Sequence, residues 1–250
     1  MGIPLTVDVR DPAPMADVLD AVFIELRQIE QGLGAYLSQR LVAGADRAEL
    51  EGGRVGEEGS GVLTPVHLCH AATDARVYPQ RAGFLDPGSF VTGWALDRAL
   101  SILDSHGARN YVADSAGDVV TRGESAPGEP WRIGIRHPGE KRLCSRVILA
   151  GDLAVATSRA PGMGDRPAVD SEGLGVNKWL SLTVIGADLV AVDVHAATCL
   201  AMGELALPFI ESVPGLEAYA IDRAMNGHGT TGFDALCESG AVGGDHDADA

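Results

Sequence analysis

The chain is poor in positive charge and in aromatic residues. Its 250 residues include 19 Lys and Arg against 35 Asp and Glu, which gives a formal net charge of −16, and only 5% are aromatic. Nucleic acids and anionic membrane surfaces attract proteins through clustered positive charge. We therefore expect neither a nucleic acid nor a membrane as a partner, and a pyrophosphate ligand would need a cation to enter so acidic a protein.

Closely spaced cysteines are also lacking, since Cys69, Cys144, Cys199 and Cys237 lie far apart. Structural zinc sites use close pairs and disulfide scaffolds use a high cysteine density, so we expect free thiols. The N-terminus has no basic segment followed by an apolar one, as a secretory signal has. No apolar run approaches the ~18 residues of a membrane span. These absences predict a cytoplasmic protein.

What is present suits one domain, because 46% of the residues are hydrophobic and 22% are charged. We predict a domain over residues 1–236 and an acidic, disordered tail over 237–250. The alternation in LTVDV predicts a strand, and apolar residues at helical spacing after Pro14 predict a helix. Those apolar positions are Met15, Val18, Leu19, Val22, Leu26 and Ile29.

The rest of the chain alternates between helical and strand patterns. Residues 43–62 are rich in Gly and Glu and predict an exposed loop. Helices are predicted over 64–76, 93–105 and 188–202, and β-branched runs between 110 and 157 predict strands, as does LSLTVIGA. The middle of the chain is therefore expected to be rich in β-structure.

Residues 86–103, DPGSFVTGWALDRALSIL, place Pro and Gly directly before an amphipathic helix. The first turn of a helix leaves N–H donors unpaired and carries the positive end of the helix dipole. Gly88, Ser89 and Gly93 would let a phosphate approach this turn closely. An ordinary capped turn has the same composition, so the segment alone leaves both interpretations open.

The segment DPGSFVTGWALDRA resembles the D-x-G-G-x-x-K-G-x-A-x-D element of the ApbE family, the FAD:protein FMN transferases, in the form common among actinobacterial members. Further blocks follow in the family's order. They are MGIPLTVDVRD, NYVADSAGDVVTRG, WRIGIRHP, LAVATS, SLTVIGADLVAVDVHAATCLAMG and PGLEAYAIDRAMNGHGTTGF. Together they cover residues 1–233. The resemblance implies an α+β fold, related to the T-fold, in which helices flank central antiparallel sheets.

The resemblance also implies a magnesium ion beside the pyrophosphate of FAD. Asp193 aligns with the family's metal-binding aspartate, although an aspartate that stabilises a helix N-terminus is an alternative. The family's threonine ligand falls on Ala197, and Thr198, ~100° further around the helix, is the candidate substitute. The third ligand is a main-chain carbonyl, which maps to Ser89.

Several positions depart from the family's nucleotide site. Thr92 replaces a lysine beside the phosphates, Asp114 replaces an asparagine, and Ala116 replaces a glycine, whereas Asp118 is retained. Loss of the lysine predicts weaker phosphate binding. The implied cofactor-binding residues are Asp86, Gly88, Ser89, Thr92, Gly93, Asp114, Gly117, Asp118 and Ser158.

The family's catalytic segment is altered as well. Arg166 in SRAPGMGDR stands in for the family's arginine, but RPAVDSEG lacks the histidine thought to deprotonate the acceptor hydroxyl. A general base contributes roughly 10²–10⁴-fold to a rate, so the departures favour impaired FMN transfer. The candidate catalytic residues are Asp193, His195 and Arg166.

Three functions stay open from the sequence. The first, which the departures favour, is an enzyme whose repurposed flavin-nucleotide pocket acts on a small molecule. The second is an active transferase, dependent on Mg²⁺ and FAD, that moves FMN to a threonine of an acceptor flavoprotein. The third is a module that binds a flavin or a partner without catalysis.

Overall fold

The computed structural model describes residues 4–12, 15–43, 80–81, 84–85, 88–115, 117–140, 142–160 and 178–239, with side chains left undescribed over 32–43 and 80–92. The loop predicted over 43–62 lies outside the described residues except for Ala43, which ends a helix. The helix predicted over 64–76 lies outside them altogether.

A seven-stranded antiparallel sheet forms the centre of the described structure, with the strand order β1-β4-β5-β8-β9-β10-β11. A β6–β7 hairpin and a short β2–β3 pair form two further antiparallel sheets. The strands are β1 (Leu5–Val9), β2 (Gln80–Arg81), β3 (Phe84–Leu85), β4 (Tyr111–Ser115), β5 (Asp118–Arg122), β6 (Trp131–Arg136), β7 (Cys144–Ala150), β8 (Ala154–Arg159), β9 (Trp179–Gly186), β10 (Glu217–Asp222) and β11 (Gly227–Gly229). The strands expected between residues 110 and 157, and the strand LSLTVIGA, are present.

Four α-helices accompany these sheets in the described part of the chain. They are α1 (Ala16–Ala43), α2 (Gly88–Ser105), α3 (Leu189–Met202) and α4 (Ala206–Glu211), with 3₁₀ helices at Gly203–Leu205 and Phe233–Leu236. The helix predicted after Pro14 is α1, and the one predicted over 188–202 is α3. The helix predicted over 93–105 begins five residues earlier, at Gly88, so residues 88–92, which were expected to precede the helix, already belong to it.

The two faces of the central sheet pack against different layers of the protein. Because side chains alternate along a strand, Leu182 and Val184 on β9 face the layer of α1, α2 and α3, whereas Ile185 faces the β6–β7 hairpin. On β5 the same alternation puts Val120 towards the helices and Val119 towards the hairpin. This period places Asp118, two residues before Val120, on the helix side of the sheet.

Leu189–Glu211 is long and apolar enough to cross a membrane by length and composition alone, with a mean hydropathy of 1.5. This differs from the expectation that no apolar run reaches such a length. Half of this window is buried inside the protein, because α3 packs against β8, β9 and α2. A core helix covered on several sides has the same composition, and burial against the sheet explains why α3 is so apolar.

The chain stays attached to the fold past the predicted boundary at residue 236. The backbone of Cys237 pairs with that of Ile148 on β7 in an isolated antiparallel β-bridge. The Glu238 amide donates to the Val147 carbonyl at 2.9 Å, and the Glu238 carboxylate pairs with Arg132 at 2.7 Å. Residues 240–250 lie outside the described part. Cys144, Cys199 and Cys237 are free thiols, as expected, and Cys69 lies outside the described residues.

Candidate functional site

Two aspartates near the start of α3 have different roles. Asp188 is the N-cap, and its carboxylate accepts a hydrogen bond of 2.6 Å from the Ala191 amide. This bond pairs one of the otherwise free N–H groups of the first turn. Asp193 lies more than a turn further on and is only 7% exposed. The interpretation of Asp193 as the helix-stabilising aspartate is therefore wrong, because Asp188 occupies that position.

The carboxylate of Asp193 lies against α2. It accepts a hydrogen bond from the Gly93 amide, and a Cβ built on Gly93 would lie 2.8 Å from Asp193 Oδ2. Glycine is unfavourable inside a helix by about 1 kcal/mol relative to alanine, so this close approach explains its presence. Gly93 was predicted to let a phosphate approach, whereas the structure uses the missing side chain to admit a carboxylate.

Ser89 lies in the first turn of α2, four residues before Gly93. An α-helix directs the carbonyl of one residue towards the amide four residues later, and here that amide also donates to Asp193. The Ser89 carbonyl and the Asp193 carboxylate are therefore expected to converge on the same N–H. This is the carbonyl that the sequence comparison assigned to a metal.

Asp118, at the start of β5, extends this group of oxygens. Its carboxylate accepts a hydrogen bond from the Thr157 amide on β8, and α3 packs against both β5 and β8. The negative charge of Asp118 acts directly on Asp193. The fold thus brings together two carboxylates that are 75 positions apart in the sequence, beneath the N-terminal half of α3.

The electrostatics of this pair are unusual. Burial, reinforced by the charge of Asp118, raises the pKa of Asp193 to about 8, against the opposing hydrogen bond from Gly93. Burial also raises the pKa of Asp118 to about 6; the Thr157 amide opposes this rise, and the charge of Asp114 adds to it. Both carboxyl groups would bind a cation favourably, because a cation removes the cost of holding two negative charges away from water.

Asp114 and Gly117 shape the turn that leads to Asp118. Gly117 has a φ of +106°, which favours glycine, and its amide donates to Asp114 Oδ1 at 3.0 Å. Strand alternation puts Asp114 on the face opposite to the buried Ala113, away from the helix layer. The described hydrogen bond of Asp114 therefore stabilises the turn. The charge of Asp114 affects the site by raising the pKa of Asp118.

Two of the predicted site residues point elsewhere. His195 Nδ1 lies 2.7 Å from the Ala191 carbonyl of its own helix, and its ring stacks on Phe209 of α4 at 5.9 Å. The side chain is thereby held against α4, away from Asp193. Thr198 is 1% exposed and follows Asp193 by five residues, which is about 140° around the helix. It is therefore poorly placed to share a ligand with Asp193.

The other predicted residues are described only in part. Ser158 is half-buried on the helix side of β8, the face that carries Ala156. Gly88 and Thr92 belong to the first turns of α2, without described side chains. Asp86 and Arg166 lie outside the described residues. The participation of these residues in a nucleotide site stays a prediction.

The oxygens at this place suit a magnesium ion. Mg²⁺ is typically bound through one or two carboxylates, with waters and substrate phosphates completing six ligands. Asp193, Asp118 and the Ser89 carbonyl are of this kind, and the missing Cβ of Gly93 leaves the room that Asp193 occupies. No group of three or more His, Cys, Asp or Glu side chains that could hold a metal occurs among the described residues, so any ion here would depend on oxygens from a ligand.

Sequence reasoning missed the role of Thr157, whose amide holds Asp118. A backbone contact leaves no signal in residue type. It also missed that the charge of Asp118 acts on Asp193, since this depends on the packing of α3 across β5 and β8. The available signal was the even spacing between Asp118 and Val120, which puts both on one face of a strand.

Comparisons with known proteins bear on the family resemblance and on the fold. Residues 66–162 match the model of the ApbE family. The FAD:protein FMN transferase of Vibrio cholerae is 26% identical over 163 residues, which are 60% of this chain and 49% of that protein. The transferase of Haemophilus influenzae is 26% identical over 66% of this chain and 50% of its own length. The chain spans about half the length of these curated relatives.

Solved structures extend the likeness to the fold. The flavin transferase ApbE from Vibrio cholerae has a TM-score of 0.76 at 17% identity, covering 94% of this chain and 96% of that one. The apo flavinyl transferase ApbE of Pseudomonas stutzeri has a TM-score of 0.58 at 18% identity, over 72% and 75%. The resemblance recognised in the sequence is therefore confirmed: this chain is similar to ApbE proteins and has their α+β fold.

Proposed function

We propose that this protein is a magnesium-dependent transferase that moves FMN from FAD to a hydroxyl group of an acceptor protein. The observation that carries the proposal is the buried carboxylate of Asp193, held by the Gly93 amide at the start of α2. No lysine or arginine pairs with Asp193 among the described residues. A buried carboxylate without a cation is costly, and a divalent ion would relieve that cost.

The proposal differs from the function that the sequence favoured, a repurposed pocket for a small molecule. That preference depended on Thr92, on the displaced threonine ligand and on the missing histidine. The curated relatives are named FAD:protein FMN transferases, which favours the transferase. The buried carboxylate of Asp193, which a cation would stabilise, supports the transferase as well.

The chemistry of the proposed reaction assigns a role to each part of the site. The acceptor oxygen forms a bond to the phosphorus of FMN, the pyrophosphate P–O bond breaks, AMP leaves, and the hydroxyl proton passes to a base. Bound magnesium would neutralise the phosphate charge. Asp193 and the Ser89 carbonyl would hold the ion, and Gly93 would keep Asp193 in place. Since the sequence lacks the family's histidine, we expect transfer to be slower by roughly 10²–10⁴-fold than with a general base.

Calorimetric titration with FAD, with and without Mg²⁺, tests the proposal, with AMP release as a second measurement. We expect binding that requires Mg²⁺ and is lost in Asp193→Asn, together with slow release of AMP when a threonine-containing acceptor peptide is added. The matched control is Asp152→Asn, because exposed Asp152 only accepts a hydrogen bond from Gly123 at the far end of β5, and asparagine keeps that bond. Absence of FAD binding in the presence of Mg²⁺ would refute the transferase and return the repurposed pocket to first place.

A further inference from the structure

We propose that Asp118 is a second carboxylate ligand of the divalent cation and replaces the threonine that the family has where this chain has Ala197. The inference rests on the proposed function, because it takes Asp193 as a ligand of the same ion. It assigns to Asp118 a metal-binding role, whereas the resemblance implied only a contact with the nucleotide.

The helix α3 leaves a ligand position unfilled. Ala197 follows Asp193 by four residues, so the two share one side of the helix, but its methyl group offers no oxygen. Thr198 is turned about 140° from Asp193 and is buried. On this alignment α3 offers the ion no hydroxyl ligand beside Asp193, so the position is open to an oxygen from another element, from water or from a phosphate.

Asp118 is the oxygen donor that the fold places there. It lies on the helix side of β5, and its charge acts on Asp193 across the contact between α3 and the sheet. The Thr157 amide occupies one of its acceptor positions. A carboxylate has about four such positions, so Asp118 keeps the capacity to bind an ion while Thr157 fixes its orientation.

The burial of the Asp118 and Asp193 carboxylates favours an ion shared between them over two carboxylates that lie near each other without a function. Two negative charges held together away from water oppose folding unless a proton or a cation lies between them. Asp193 is nearly fully buried, and α2 carries glycine at residue 93 so that the carboxylate fits. Helix geometry directs the Ser89 carbonyl of the same turn towards the Gly93 amide that donates to Asp193, so we expect a third oxygen nearby.

Binding of Mn²⁺ to the metal-free protein tests the proposal, measured by electron paramagnetic resonance of the free ion. Mn²⁺ replaces Mg²⁺ at oxygen sites and needs no turnover to be detected. We expect Asp118→Asn to weaken Mn²⁺ binding by about tenfold or more, and Asp193→Asn to abolish it. The control Asp152→Asn should bind as the wild type does. Asparagine keeps the shape of aspartate and removes a buried charge, so circular dichroism should report folded variants.

A gain-of-function variant separates a ligand from a merely structural residue. Ala197→Thr restores the hydroxyl beside Asp193, so the double variant Asp118→Asn with Ala197→Thr should recover part of the lost Mn²⁺ affinity. If Asp118→Asn binds Mn²⁺ like the wild type while Asp193→Asn does not, the role of Asp118 is refuted and the proposed function stands. If the wild-type protein binds no Mn²⁺ either alone or with FAD present, both proposals fail.

Discussion

Asp193 should make the metal-free protein less stable as the pH rises, and Asp193→Asn should remove this dependence. The pKa of Asp193 is about 8 in the folded protein, because of burial and the nearby charge of Asp118, against 3.8 for an ordinary aspartate. A group whose pKa is raised by folding stabilises the fold while it is protonated in both states. That contribution falls once the unfolded chain ionises, and it is lost as the pH rises through about 8.

The size of the effect follows from proton linkage. Each pKa unit corresponds to about 1.4 kcal/mol. Asp193 is half ionised at about pH 8, so a rise from about pH 6 to about pH 8 should cost about 2 kcal/mol of unfolding free energy. This window isolates Asp193, because the pKa of Asp118 is about 6 and most of its own loss occurs below the window. For a chain of this length 1 kcal/mol shifts Tm by about 2–4 °C, so we expect a fall of about 4–8 °C.

Thermal unfolding in EDTA, followed by circular dichroism across this window, provides the measurement. Asp193→Asn should give a nearly flat Tm, because asparagine can still accept the Gly93 hydrogen bond and carries no charge. Asp152→Asn should keep the slope of the wild type, since it removes an exposed carboxylate whose hydrogen bond to Gly123 asparagine retains. A wild-type Tm that does not change with pH, or an unchanged slope in Asp193→Asn, would refute the raised pKa of Asp193.

Two glycine substitutions test how closely side chains approach the backbone. Gly93→Ala should destabilise the protein by about 1–3 kcal/mol in denaturant unfolding, despite the better helix propensity of alanine, because the new Cβ would lie 2.8 Å from Asp193 Oδ2. Gly151→Ala is its control, with a nearest atom at 3.9 Å, and equal stability of the two variants would contradict the close contact. Gly227→Ala on the edge strand should also cost about 1–3 kcal/mol, because its Cβ would collide with the Tyr219 ring; an unchanged Tm would show that Tyr219 can move aside.

The regular elements could be predicted from the sequence because their signals are local. Alternation in LTVDV gave β1, helical spacing after Pro14 gave α1, and the β-branched runs gave the strands of the middle region. The start of α2 could not be placed correctly, because the penalty for Gly93 in a helix is a local signal that a tertiary contact overrides. Only the carboxylate of Asp193, a hundred residues away, explains why a glycine is acceptable there.

A residue of the candidate site could be predicted only where its residue type, in its sequence context, needs a polar partner. A carboxylate in the apolar segment VAVDVHAA needs a partner, and this identified Asp193. His195 was singled out by residue type as well, but a bond to its own helix and a stacking contact with Phe209 turn it elsewhere. The meeting of Asp118 and Asp193 depends on how α3 crosses the sheet, and spacing along the chain does not encode that crossing.

The charge of the site determines the order in which its ligands can bind. The protein has a net charge of −16, the carboxylates of Asp114, Asp118 and Asp193 lie in or beside the site, and threonine replaces the family's lysine at residue 92. A pyrophosphate that approached the metal-free site would meet negative charge without the compensation that a lysine gives. On the proposed function, we therefore expect the divalent cation to bind before FAD or together with it, and FAD affinity in this chain should depend on the cation more steeply than in a protein that keeps the lysine. The substitution Thr92→Lys should reduce that dependence. The loss of the lysine at residue 92 and the second carboxylate, Asp118, would then act in the same direction, since both make phosphate binding depend on the cation.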